Sequence, residues 1–122
     1  IAGTEIWRPG AHRIRSAFIH ANPRIVIVRV VRLTLSEENV SAFEEVFRTH
    51  QDAIASQPGC MGVEMLSDPD DNCIRGTLSR WRSEEDLNAY RASSLFGEVW
   101  PITKSLFAAK PEVWSYEVIE RS

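Results

Sequence analysis

The chain has 122 residues, the length of one domain and too short for two well-built cores. Its composition, 43% hydrophobic and 25% charged, excludes intrinsic disorder, and a formal charge of −3 excludes a generally basic nucleic-acid binder. No apolar run approaches the roughly 20 residues needed to cross a bilayer; the longest is Ile25–Val31, and Arg29 interrupts it.

The charge is uneven. Residues 1–24 hold Arg8, Arg13, Arg15 and Arg24 against Glu5, and the remainder is acidic. So few charges read as a basic N-terminal arm, solvated or docked on its own acidic body, before they read as an anion or nucleic-acid site. Pro9-Gly10 and Asn22-Pro23 punctuate the arm as turns. The arm lacks the apolar stretch of a secretory signal. The chain opens on Ile1 rather than Met, so a start upstream is expected. The domain proper is expected over residues 25–122.

Residues 25–35 predict the strongest strand, rich in β-branched residues and bounded by Pro23 and Ser36. One face carries Ile25, Ile27, Arg29, Val31, Leu33 and Leu35, and the other Val26, Val28, Val30, Arg32 and Thr34. Both faces are mostly apolar, so both need cover. Residues 37–56 predict a helix, with Ser36 as N-cap and Glu37 and Glu38 in the first turn. Val40, Phe43, Phe47, His50 and Ile54 recur at helical spacing, and Pro58-Gly59 ends the helix.

Residues 61–67 and 73–81 predict a hairpin around Asp68-Pro69-Asp70-Asp71-Asn72. Its expected register sets Cys73 near Ser67 and Cys60 near Arg80, beyond bridging reach. Two separated cysteines read as reduced thiols in a cytoplasmic protein. A second helix opens at Ser83, with Asp86 as a variant of the capping box. Ser93 and Ser94 weaken it. A further piece runs from about Leu95 to Ala108, with Val99, Ile102 and Leu106 as its apolar stripe and Pro101 starting or kinking it. Residues 112–120 predict a last strand.

The order β-α-β-β-α-β implies an α+β, ferredoxin-like sandwich: one four-stranded antiparallel sheet with the helices on one face. Val26, Val28 and Val30, with Trp114, Tyr116 and Val118, are then left on the bare face. Burying three valines and two aromatics is worth about 5–10 kcal/mol by area, as an upper bound. A homodimer packing two sheets face to face is the expected cover.

Motifs for phosphate loops, dinucleotides, zinc and serine nucleophiles are absent, so no metal, flavin or nicotinamide cofactor is expected. What remains is a set of polar-tipped groups on apolar faces: His50, Trp81 and Tyr90. They suit an apolar pocket for a small molecule. His50 could serve as general base, and the Tyr90 hydroxyl and Trp81 indole N–H could bind an oxyanion. Each residue taken singly equally suits a packed core.

The segment 80–118 resembles the antibiotic biosynthesis monooxygenase domain family. The resemblance rests on Trp81-x-Ser83, a helix, and the x-Ser-x-x-Phe run at 92–96. Pro58-Gly59-Cys60-x-Gly62 at the entry to the second strand also fits. The resemblance extends over residues 25–120. It implies a dimeric α+β barrel and several activities: oxygenation of quinols or polyketide phenols without metal or flavin, haem degradation, and isomerisation of small metabolites. The haem-degrading branch uses an Asn, a Trp and a His where this chain has Val31, Tyr90 and Trp100, so the axial ligand from that place is missing. The resemblance therefore implies a cofactor-independent monooxygenase acting on a small electron-rich aromatic. His50, Trp81 and Tyr90 are then the candidate catalytic groups, and Val31, Phe47 and Trp100 the candidate walls. A non-catalytic binding dimer and an isomerase using His50 remain the alternatives.

Overall fold

The computed structural model describes residues 25–120. The basic arm at 1–24 lies outside the described residues. The order is β1 (Ile27–Thr34), a 3₁₀ turn (Glu37–Asn39), α1 (Val40–Ala55), β2 (Cys60–Asp68), β3 (Asp71–Trp81), α2 (Glu84–Arg91), α3 (Ser94–Lys104) and β4 (Glu112–Glu117). The strands form one sheet in the order β2-β3-β1-β4, and every neighbouring pair is antiparallel. This is the ferredoxin-like arrangement expected from the element order.

The apolar face of β1 that carries Ile27, Val31 and Leu33 is buried beneath the helices, and Arg29 is buried with them. Leu35, Phe43, Phe47 and Val113 complete the main cluster, with Val40, Val63, Met65, Leu106 and Phe107 at its edge. A second cluster joins Ile27, Trp81 and Leu87, with Cys60 and Tyr90 packed on it. Arg75 donates from Nε to Glu44 at 2.9 Å and ties β3 to α1. Among the described residues, no helix is long and apolar enough to cross a membrane.

On the opposite face Val28 and Val30 of β1 lie across from Tyr116 and Trp114 of β4 and from Arg80 and Leu78 of β3. Among the described residues nothing covers this face: Trp114 is 40% exposed and Tyr116 58%.

Several local expectations are corrected. The hairpin turn is tighter than expected. Only Pro69 and Asp70 separate the strands, because Asp68 Oδ1 accepts the Asp70 N–H and Asp71 Oδ1 accepts the Cys73 N–H. Ser67 therefore faces Arg75 rather than Cys73. A bulge between Cys60 and Gly62 then sets Cys60 opposite Trp81 rather than Arg80. Both thiols are free. The first helical segment begins as a 3₁₀ turn, and Ser36 makes no side-chain cap; its carbonyl accepts the Asn39 N–H instead.

Ser83 caps α2 by accepting the Asp86 N–H, as its spacing predicts. Ser93 does more than weaken a helix, since its hydroxyl accepts the Phe96 N–H and starts α3. Pro101 sits inside α3. The inward stripe of α3 also differs from expectation: Thr103 is buried and Ile102 is 43% exposed. The last strand ends at Glu117, although the Val118 N–H still reaches the Val26 carbonyl.

The Pro58-Gly59 element has a physical cause. Gly59 has φ of 81°, a conformation that disfavours a side chain, and a Cβ there would meet the Asp86 carboxyl. Its carbonyl accepts the Arg82 N–H, so this turn locks the start of β2 to the end of β3 and the first turn of α2.

Candidate functional site

A cavity opens between the sheet and the helices, with about 670 Å³ of empty space counting its open mouth. Its walls come from both core clusters. All six residues singled out from the sequence border it: Val31 on the sheet, Phe47 and His50 on α1, Trp81 at the end of β3, Tyr90 on α2 and Trp100 on α3. The helical spacing of α1 aims Phe43, Phe47 and His50 at one side, and the caps at Ser83 and Ser93 set the angles of α2 and α3.

Aromatic rings form a continuous series along the helical wall. Trp81 stacks on Tyr90 with centroids 5.0 Å apart, and Tyr90 meets Phe96 edge to face at 5.2 Å. Phe96 stacks on Trp100 at 5.7 Å, and Trp100 meets Phe107 edge to face at 5.8 Å. A flat aromatic ligand has matching faces and edges here.

His50 is half-buried, and its Nδ1 lies 2.8 Å from the Val46 carbonyl oxygen. A carbonyl only accepts, so Nδ1 carries the hydrogen and Nε2 is left able to take a proton. Tyr90 has the opposite character. Burial pushes its pKa from 10.0 up to about 12; the Arg29 charge pulls it down, and Cys60 adds a smaller push upward. Its hydroxyl is protonated near neutral pH, as an ordinary tyrosine's is, and can donate.

The unfolded chain ionises a tyrosine near 10, whereas folded Tyr90 keeps its proton to about 12. Between these values the unfolded state binds fewer protons, so stability falls as pH rises. Urea unfolding below and within that window should show a steeper loss in the parent protein than in Tyr90→Phe. Equal losses would contradict the assignment.

The Trp81 indole does not offer its N–H to the cavity as expected. Trp81 is fully buried, and Nε1 donates to Ser79 Oγ at 2.9 Å. Its part is to support Tyr90 and Ser79. Among the cavity residues that escaped the sequence reading are two buried polar partners on the sheet. Arg29 and Ser79 are 7% and 8% exposed and sit directly opposite each other on β1 and β3. The signal for Arg29 was present: it is the one charge on an otherwise apolar strand face. Thr103 also borders the cavity, but its hydroxyl donates to the Val99 carbonyl of its own helix. Among the described residues, no three His, Cys, Asp or Glu side chains gather as a metal site.

The fold is similar to solved structures. A protein from Caulobacter crescentus CB15, provisionally described as an antibiotic biosynthesis monooxygenase, superposes with a TM-score of 0.75 at 17% identity, covering 85% of this chain and 99% of that one. A conserved protein from Methanosarcina mazei Go1 gives 0.73 at 19% identity, over 76% and 92% of the two chains. A mutant of SnoaB, a cofactor-independent oxygenase from Streptomyces nogalater, gives 0.70 at 19% identity, over 79% and 95%. No curated protein matches the chain. The sequence pattern described as antibiotic biosynthesis monooxygenase matches residues 26–99, which include β1, α1, the hairpin, α2 and the start of α3. By that match, over more than half its length, the chain belongs to the antibiotic biosynthesis monooxygenase family.

Proposed function

We propose that this chain is a cofactor-independent monooxygenase acting on a small electron-rich hydroxyaromatic, a quinol or polyketide-like phenol. The observation that carries the reading is a base and a neutral donor on one apolar cavity: His50, with Nδ1 spent on Val46, and Tyr90, whose hydroxyl is protonated near neutral pH. The similarity to SnoaB, named as a cofactor-independent oxygenase, supports the same chemistry.

The ring of the substrate lies against Phe47, Phe96 and Trp100. His50 Nε2 takes the phenolic or enolic proton. The Tyr90 O–H stabilises the resulting anion, which is the species that gives electrons to dioxygen. For an anthrone, both hydrogens of the ring CH₂ are lost. One oxygen atom becomes the new carbonyl and the other leaves as water, so the substrate supplies all the electrons. Anthrone should drive oxygen uptake by the purified protein above the buffer rate, with one dioxygen consumed per quinone formed. Turnover that proceeds equally well under nitrogen would favour isomerase chemistry, and a ligand recovered unchanged would favour a binding protein.

In this reading the working unit is a homodimer joined through the open sheet face. Val28, Val30, Leu78, Trp114 and Tyr116 form an apolar surface that a second copy covers about a twofold axis. Sedimentation at micromolar concentration should find twice the 13.8 kDa chain mass. A stable single chain at that concentration would contradict the dimer.

A further inference from the structure

The proposed reading gives a role to the helical wall of the cavity and leaves its floor unused. We propose that Arg29 and Ser79 form an anchor for an acidic group, so that the aromatic taken by this cavity is a hydroxyaromatic carboxylate rather than a neutral phenol. The inference rests on the reading that the cavity binds a hydroxyaromatic, and it names the class more narrowly.

Arg29 and Ser79 are direct cross-strand partners. They project to the helix side of the sheet with Ile27, Val31 and Trp81, and both border the cavity. Arg29 is engaged within the fold, which offsets part of the cost of burying its charge. A guanidinium carries five N–H donors in a planar fork, so pairing within the fold still leaves donors for a ligand.

Ser79 adds a directed donor. The Trp81 indole N–H can only donate, so its 2.9 Å bond occupies a lone pair of Ser79 Oγ. That bond does not use the hydroxyl hydrogen, which can be offered to an acceptor in the cavity. An acceptor bound beside Arg29 meets both groups. A planar carboxylate matches this pair: one oxygen faces the arginine fork and the other the serine hydroxyl.

The placement also orients the ligand. Arg29 and Ser79 lie on the sheet, whereas His50 lies on α1 and Tyr90 on α2. An acid group held on the floor directs the ring toward the aromatic series and the hydroxyl toward the helical wall. Arg29 and Ser79 are thus positioning residues. They hold the substrate and take no proton from it.

The test is calorimetric binding to the full chain under nitrogen, with salicylate against its neutral analogue salicylamide. Salicylate should bind about tenfold or more tightly, the scale of a charge-assisted hydrogen-bonded pair. Arg29→Met should abolish that preference, and Ser79→Ala, a smaller change that leaves the arginine in place, should reduce it severalfold. Should Arg29→Met fail to fold, the parent pair and Ser79→Ala still decide the matter. Equal binding of acid and amide by the parent, a preference that survives both substitutions, or binding of neither compound would overturn the anchor. Because no oxygen is present, the result is independent of turnover. Acid preference without oxygen uptake would sink the oxygenase reading alone, and uptake with neutral anthrones without acid preference would sink the anchor alone.

Discussion

Replacing His50 by alanine is expected to lower the rate of oxygenation by about 10²–10⁴-fold, the usual contribution of a positioned general base. Val46 takes the Nδ1 hydrogen, which fixes the tautomer and leaves Nε2 as the proton acceptor of a ring bordering the cavity. The substitution should leave the fold standing. The ring's hydrogen bond goes to its own helix, four residues back, so no tie between elements is cut, and alanine is the better helix former. Stability should change by no more than about 1 kcal/mol. Oxygen uptake and thermal unfolding measured on the same preparation check both halves. An unchanged rate in a folded variant would remove His50 from the mechanism.

The largest effect on stability is expected from Trp81→Ala, about 3–5 kcal/mol, a large fraction of the roughly 5–15 kcal/mol that holds a domain together. Trp81 is completely buried at the end of β3, with Ile27 of β1 and Cys60 of β2 across the ladder on either side. Its removal takes the stacking surface from Tyr90 at 5.0 Å and the hydrogen bond from Ser79. Trp81→Phe keeps an aromatic ring but loses the N–H and part of the indole's buried volume, so it should cost less than the alanine change, about 1–3 kcal/mol. Urea midpoints at constant slope separate the two cases. A shift for the alanine variant worth less than about 1 kcal/mol would show that the second cluster relaxes to fill the space.

The fold was legible where burial dictates the pattern. The two apolar faces of β1, the stripe of α1 and the Ser83 cap each rest on periodicity or a single local hydrogen bond, and each is observed. The hairpin register was not legible. It depends on where a bulge absorbs Met61 and on two aspartates that tighten the turn, and neither changes the alternation of apolar residues. The inward face of α3 was misjudged because an apolar Ile102 lies outside while Thr103, satisfied by the Val99 carbonyl, lies inside. Burial follows the geometry of the helix, and a hydroxyl that bonds its own backbone enters a core at little cost.

At the site, position was legible and bonding was not. Helical and strand spacing bring His50, Phe47, Tyr90 and Trp81 to one cavity, but no spacing rule reveals that Ser79 captures the indole N–H two residues along its own strand. Arg29 escaped because an arginine in an apolar run reads first as an interruption, and only tertiary packing shows that the cavity floor is charged.

The most direct test of the central claim is turnover of anthrone by the purified protein in heavy-oxygen dioxygen, with mass analysis of the quinone. The mechanism predicts one heavy atom in the new carbonyl and the other in water. Quinone carrying only oxygen from solvent, or none formed beyond the protein-free rate, would contradict it.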